Sequence, residues 1–134
     1  MAGSFALDIS KFINKTHSNV DLVTRKIVFD VMRSVIKKSP VDTGRFKGNW
    51  QYGTGSMPSG TLDTINKDDA SVTAKLHAKV PKEASGKMHY IVNNLPYSIA
   101  LEDGWSSQAP SGMVGLTISE YQGIVRLAAQ EVNP

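Results

Sequence analysis

Cysteine is absent from all 134 residues of the chain. Disulfides, thiolate metal sites and cysteine nucleophiles are therefore excluded. The sequence also has no run of about 18 apolar residues, the length that a membrane-spanning helix needs. Residues 1–8 lack the basic and apolar regions of a secretion signal. The length of 134 residues predicts one globular domain, residues 1–134, and the absence of a long apolar run predicts that it has no membrane-spanning segment.

A strong excess of charge is also missing, since the formal net charge is +3. The charge is uneven: residues 1–50 carry nine Lys or Arg and four Asp or Glu, whereas residues 51–134 carry six and eight. The basic first part leaves open a small DNA-binding module. Its cations are spread out and lack the interleaved aromatics of a dense nucleic-acid patch. We therefore prefer a solvated helix face.

A helical repeat of apolar residues runs from Ile9 to Ile36. It predicts either one helix of about 28 residues, about 42 Å long, or two helices broken near Ser18, within a long helical segment that covers residues 1–39. Ser4 or Asp8 are candidate caps for its start. Proline at position 40 has to end it, because proline disfavours helical backbone in the residue before it.

After this segment the period changes to that of strands. We predict strands over Arg45–Gly53, Ala70–Val80 and Met88–Asn93, the second from alternating valine, alanine and leucine. Residues 54–69 are rich in glycine, serine, threonine and aspartate, which predicts a flexible loop.

The last third returns to helix. Pro96–Asp103 is typical of a short helix opened by proline and stopped by Gly104. We predict a C-terminal amphipathic helix that ends near Val132 and begins at about Thr117 or Ser119, with Ser119 and Gln122 as a capping box. The pattern as a whole predicts an α+β fold: a long N-terminal helix, an antiparallel sheet of three to four strands, a short helix and the C-terminal helix.

Asp42-Thr43-Gly44 matches the active-site triplet of aspartic proteases, in which two carboxylates share one proton. Lysines and arginines on both sides favour ionised carboxylates and oppose that sharing. We therefore interpret the triplet as a turn, in which Asp42 accepts hydrogen bonds from the following N–H groups and Gly44 adopts a positive φ.

The other motifs of catalysis and metal binding are incomplete. His17, His77 and His89 have no partner at the spacing of a metal site. The glycines between residues 53 and 60 match neither a dinucleotide-binding nor a phosphate-binding loop, because proline and threonine take the places of a required glycine and lysine. The sequence therefore predicts no enzyme, no cofactor and no bound metal.

Three segments carry a more specific pattern: "VDTGRFKGNW" (41–50), "NNLPYSIALEDGWSSQAPSGMV" (93–114) and "TISEYQGIVRLAAQEV" (117–132). In this order they resemble the neck and tail-completion proteins of long-tailed (siphovirus-type) bacteriophages, the group that includes the tail-completion protein Z of phage lambda. The middle segment is the most specific of the three.

The resemblance implies a structural virion protein of the head–tail junction. Such a protein forms a ring, six-fold like the tail, at the head-proximal end of the tail and helps complete the tail for head joining. Its partners are then copies of itself and the neighbouring neck and tail-terminator proteins. The resemblance also implies that DNA passes through the channel without specific binding and that no membrane is involved. The protein would be in the host cytoplasm during assembly and in the neck of the finished virion.

Residues of these segments and of the 54–69 loop form two predicted groups. Aromatic residues near loops are typical of cores or of interface anchors, and we place Trp50 in the core and Trp105 at an interface or loop anchor. The predicted contact residues are Trp105, Gln108, Met113, Met57 and Pro58. The residues predicted to fix the fold are Asp42, Gly44, Arg45, Trp50, Asn93, Pro96, Tyr97, Glu102, Gly104, Pro110 and Gly112.

Overall fold

A computed structural model describes residues 2–132, with side chains from residue 19 onward. Within this range the elements follow in the order α1 (Ala2–Lys38), α2 (Arg45–Gly48), β1 (Trp50–Thr54), α3 (Asp69–His77), β2 (His89–Asn93), α4 (Ser98–Glu102) and α5 (Val114–Val132). The fold is α+β with a long N-terminal helix, an antiparallel sheet and a C-terminal helix, as predicted. The sheet has two strands in place of the predicted three to four.

The first helix is continuous over 37 residues, so the prediction of one helix is confirmed and that of a break near Ser18 is wrong. The helix is longer than the predicted length of about 28 residues, because it begins at Ala2. At 1.5 Å per residue it is about 55 Å long. It ends at Lys38, where Ser39 Oγ donates to the carbonyl of Val35 at 2.7 Å. The candidate caps Ser4 and Asp8 lie outside the described side chains, as does His17.

Helix α5 packs antiparallel along the second half of α1. Lys38 Nζ lies 3.1 Å from Glu120 Oε2 near the end of α1, and Lys26 Nζ lies 3.4 Å from Glu131 Oε2 three turns earlier. Between these pairs, side chains of α1 pack into the core. The sheet, α3 and the chain after β2 form the other sides of this core. Its least exposed large side chains are Met32, Ile36, Leu95 and Met113.

The segment Ala70–Val80, predicted as a strand, is instead helix α3 followed by a turn. Val72, Leu76 and Val80 are buried, and their spacing of four residues is helical. The alanines between them completed an alternating pattern, but they are exposed, and alanine is the strongest helix former. His77 was expected on the polar face of a strand. Its ring instead packs edge-on against that of Phe29, with the two ring centroids 4.9 Å apart.

The segment Arg45–Gly53 was predicted as one strand, but its first half is the single helical turn α2. The two strands of the sheet pair antiparallel, with Trp50 opposite Asn93. Asn49 ends α2, because its side-chain Nδ2 donates to the carbonyl of Arg45 at 2.7 Å. Phe46 and Asn49 are both buried, so this half of the segment lacks the alternation of buried and exposed residues that is expected of a strand.

Two glycines of this corner are in close contact with the chain ahead of α3. Gly44 has a φ of +90°, as the turn interpretation predicted, and a Cβ there would lie 2.9 Å from the backbone carbon of Asn66. A Cβ at Gly48 would lie 2.8 Å from the carbonyl oxygen of Thr64. The hydroxyl of Thr43, not the carboxylate of Asp42, accepts the N–H of Arg45. The triplet is therefore a structural corner in this chain.

The 54–69 loop lies against the outer side of β1. Asn49 Oδ1 accepts the N–H of Leu62 at 2.7 Å, and Gln51 Nε2 donates to the carbonyl of Gly60 at 3.0 Å. Asn94 Nδ2 donates to the carbonyl of Pro58 at 3.1 Å. The loop can move away from the sheet only if these hydrogen bonds break. That the loop is flexible remains a prediction.

Candidate interaction surface

The carboxylate of Glu102 caps the N-terminus of α5. Its Oε1 accepts the N–H groups of Met113 and Val114, and its Oε2 accepts that of Gly115, all at 2.9 Å. The first N–H groups of a helix have no partner within the helix, and a negative charge there also complements the helix dipole. Glu102 therefore fixes the end of α4 to the start of α5.

This cap explains why α5 begins at Val114 and not at the predicted Thr117 or Ser119. Ser119 lies inside the helix, and its hydroxyl donates to the carbonyl of Leu116 at 2.6 Å. The predicted capping box of Ser119 and Gln122 is therefore wrong. Its place is taken by an acidic side chain from the preceding helix.

The end of α4 has the hydrogen bonds of a Schellman motif. The N–H of Gly104 donates to the carbonyl of Leu101 at 3.1 Å, and the N–H of Trp105 donates to that of Ala100 at 3.2 Å. Gly104 has a φ of +88°, a conformation that favours glycine, so its predicted role as the stop of α4 is confirmed. A Cβ at Gly104 would also lie 2.4 Å from the carbonyl oxygen of Pro110.

The segment from Trp105 to Gly112, which we call the Trp105 loop, is fastened at a second point. The side-chain amide of Gln108 pairs with the backbone of Val41: its Oε1 accepts the Val41 N–H at 2.9 Å, and its Nε2 donates to the Val41 carbonyl at 3.0 Å. Ala109, within the loop, is buried against the core. The loop is therefore held between the chain after α1 and the start of α5.

Trp105 is the most exposed large apolar side chain among the described residues, at 81%. In a Schellman motif an apolar residue at this position commonly packs back onto the helix. Here the indole stays in solvent although its backbone is fixed. An aromatic group held in this way loses little conformational entropy on binding, which is typical of interface anchors.

A second exposed apolar surface lies beside α4. Ile99 on α4 and Val114 on α5 border a groove of about 190 Å³ whose floor includes Phe46 and Trp50. Farther along α5, Ile118 and the partly exposed Tyr121 continue the apolar stripe.

A wider groove runs between α1 and α5, and we call it the α1–α5 groove. Its volume is about 680 Å³. Its walls carry charges of both signs, and its apolar part comes from α5. The lining residues are Asp30, Arg33, Ser34, Lys37, Lys38, Glu120, Ile124 and Leu127.

The predicted contact residues occupy different environments. Trp105 and Met57 are exposed, Pro58 is half-buried, and Gln108 is exposed but bonded within its own chain. Met113 is 1% exposed and belongs to the core, so in this conformation it is not at the surface where a contact residue must lie.

The residues predicted to fix the fold also divide. Some are buried, namely Gly44, Trp50 and Gly112, and others make the capping contacts described above, namely Glu102 and Gly104. Asn93 joins them, because its Nδ2 donates to the carbonyl of Phe46 at 2.8 Å. The others are exposed at the surface: Asp42, Arg45, Pro96, Tyr97 and Pro110. Of these, Tyr97 packs its ring 6.1 Å from that of Phe46.

The sequence analysis did not find the exposed Ile99 and Ile118, nor the buried Lys47 that pairs with Asp69. A signal for Ile118 was present, because the apolar residues of α5 occupy more of its circumference than one buried stripe needs. Nothing in the sequence distinguishes Lys47 from the exposed lysines around it.

Among the described side chains, the pKa values of Glu102 and His77 are shifted from their usual values. Burial would raise the pKa of Glu102, but its three backbone hydrogen bonds outweigh that effect and lower the pKa below its usual value. Burial also lowers the pKa of His77, and the charge of Arg25 lowers it further.

The pKa of Glu102 gives a testable dependence of stability on pH. Because the folded pKa is below the unfolded value of 4.5, the cap stabilises the protein above pH 4.5 and its contribution disappears as pH falls through the folded pKa. We expect Glu102→Gln to lower the free energy of unfolding by about 1 kcal/mol at pH 7. The difference from the unsubstituted protein should shrink below pH 4.5, as urea unfolding at several pH values would show. A constant difference would contradict this role.

Comparison with family models, with curated proteins and with solved structures found no match to this chain. In the part of the chain that the structure describes, no helix is long and apolar enough to cross a membrane. The described side chains also include no group of three His, Asp or Glu residues placed to hold a metal ion.

Proposed function

We propose that the chain is a structural virion protein of the head–tail junction of a long-tailed bacteriophage, which forms a ring at the head-proximal end of the tail. The observation that carries this proposal is the display of Trp105 in solvent on a loop fastened by Glu102 and Gln108. The loop lies within the segment on which the resemblance to neck and tail-completion proteins depends. Tryptophan side chains are among those that contribute most to the binding energy of protein interfaces.

The chemistry of this segment also favours assembly. The Glu102 carboxylate is occupied by three N–H donors, and Gly104 and Gly112 shape the backbone. Each of these residues serves to position the loop. In the proposed ring the neighbours are copies of the chain, six in the virion, together with adjoining neck and tail-terminator proteins.

The alternative function, a small DNA-binding module, would use the basic residues of α1. Lys26 and Lys38 are paired with glutamates of α5, and Arg25 donates to the carbonyl of Val80 at 3.0 Å. The two ion pairs reduce the positive charge that α1 offers to a phosphate backbone, and the hydrogen bond of Arg25 occupies one of its donors. We therefore prefer the structural role, in which DNA passes without being held.

Electron microscopy of tail tubes from the phage that encodes the chain would test the proposal. We expect added mass at the head-proximal end of the tube when the purified protein is present. Trp105→Ala should abolish that mass without changing the melting temperature, because the indole makes no core contact. Met88→Ala, at another exposed apolar residue, is the matched control and should bind like the unsubstituted protein.

Folded protein that adds no mass to either end of the tube would contradict the proposal. A gel-shift assay at moderate salt distinguishes the alternative, because tight binding of DNA by the isolated chain would support a DNA-binding module.

A further inference from the structure

We infer that one contact between copies of this chain is formed when Trp105 and Asp103 of one copy enter the α1–α5 groove of the next. The inference deepens the proposed function, on which its ring depends, because it names the two surfaces that meet. It also makes the contact heterologous, with different surfaces on its two sides.

The first surface is a small projection at the end of α4. Trp105 and Asp103 are both exposed and lie two residues apart on either side of the glycine that ends the helix. Asp103 takes part in none of the ion pairs formed among the described residues. The projection therefore combines a large apolar ring with an unpaired negative charge.

The second surface has the opposite character. Leu127, which is 59% exposed, and the half-buried Ile124 supply an apolar floor to the α1–α5 groove. Lys37 is exposed at its edge and forms no ion pair with another described residue. The side chain of Arg33 is 61% exposed and pairs with Asp30 of the same groove at 3.6 Å. Lys38 is also paired, with Glu120 at 3.1 Å, so Lys37 is the cation of the groove that no described carboxylate neutralises.

These two surfaces are complementary in charge and in polarity. The indole can cover Leu127, and a guanidinium such as that of Arg33 is well suited to stack on its face. Lys37 can pair with the carboxylate of Asp103. The groove as a whole carries three cations and two carboxylates, so a single incoming carboxylate balances it.

The projection cannot enter the α1–α5 groove of its own copy. Its loop is fastened to Val41 by Gln108 and to the start of α5 by Glu102, and neither Trp105 nor Asp103 lines the α1–α5 groove. Each copy therefore offers one projection and one groove. A contact of this type leaves a free partner at each end until the ring closes.

Two variants that each remove one side provide the test. Trp105→Ala lacks the projection, and Leu127→Asp places a charge on the groove floor. We expect the full chain to form species larger than dimers in sedimentation velocity as concentration rises from micromolar to millimolar. Each variant alone should stay monomeric, with Trp105→Ala weakening the contact by at least about 30-fold. An equal mixture of the two variants should form dimers and nothing larger, because only one intact contact remains.

A charge exchange tests the pairing of Lys37 with Asp103. Lys37→Glu and Asp103→Lys should each weaken association by roughly 3- to 10-fold, and the double variant should recover most of the loss. Both positions are exposed, so thermal melts should show folded proteins. The fluorescence of Trp105 adds a direct signal, because its emission should shift to the blue on association while the buried Trp50 stays unchanged.

The inference is overturned if the chain stays monomeric at millimolar concentration, or if it associates and the mixture of variants forms no dimer. Neither result decides the proposed function: Leu127→Asp protein that still adds mass to tails would show a ring built on other surfaces. Conversely, self-association by this contact without any binding to tails would support the inference and contradict the proposed function.

Discussion

Replacement of Gly112 by alanine is expected to lower the free energy of unfolding by about 3 kcal/mol. Gly112 has a φ of +80°, which is unfavourable for a residue with a Cβ. The added carbon would also lie 2.4 Å from the carbonyl oxygen of Glu102 and 2.7 Å from its Oε2. The substitution therefore combines backbone strain with a displacement of the residue that caps α5.

Gly86→Ala is the matched control. Gly86 has a φ of +73°, but no atom lies within 4 Å of the position that its Cβ would take. It should therefore show the cost of the backbone conformation alone, about 1–2 kcal/mol. Urea unfolding of both variants would give the comparison. Equal losses would mean that the contact between Gly112 and Glu102 adds nothing to stability, which would contradict the described geometry of the cap.

The second large effect concerns the buried lysine of α2. The side chain of Lys47 is 5% exposed and forms an ion pair with Asp69, the first residue of α3, whose side chain is 44% exposed. Asp69→Asn leaves a positive charge in the core without its partner, and we expect a loss of about 3 kcal/mol. Lys47→Met removes the buried charge and leaves Asp69 free to be hydrated.

We therefore expect Lys47→Met to cost less than about 1 kcal/mol, so that the two sides of one ion pair differ in effect. The double variant should resemble Lys47→Met, because no unpaired buried charge remains. Denaturant unfolding of the three variants is the measurement. A loss from Lys47→Met as large as that from Asp69→Asn would show that the pair itself, and not the unpaired charge, dominates.

The corner at residues 39–50 was predictable in outline. Proline and glycine restrict the backbone strongly, so the end of α1 and the positive φ of Gly44 followed from residue type. The helical turn that follows was not predicted. It depends on Asn49 reaching back to Arg45 and on Gly48 meeting Thr64, and these contacts come from the folded chain.

Helix α3 shows a different limit. Between Val72 and Val80, an alanine stands midway between larger apolar residues that are four positions apart. The same residues therefore match both the alternation of a strand and the four-residue interval of a helix. The choice between strand and helix then depends on which of them are buried. That is decided by packing against α1, which the segment itself does not encode.

The surface was predicted in part, because Trp105 in a polar loop indicated an anchor. Its exposure, and the cap that fixes the loop, were not predictable from local sequence. Glu102 is 11 to 13 residues from the N–H groups that it binds, beyond the range of any capping pattern. Such a contact becomes visible only when α4 and α5 are placed together.

The two attachments of the Trp105 loop also determine how the molecule bears mechanical load. Gln108 joins the loop to the chain just after α1, and Glu102 joins it to the first turn of α5. A pull on the indole is therefore divided between the two longest helices of the chain. Because α1 and α5 are antiparallel, the end of α1 and the start of α5 lie side by side, and both attachments are at that end of the pair. The hydrogen bonds of Gln108 and of Glu102 would have to break before the loop could move away from the two helices.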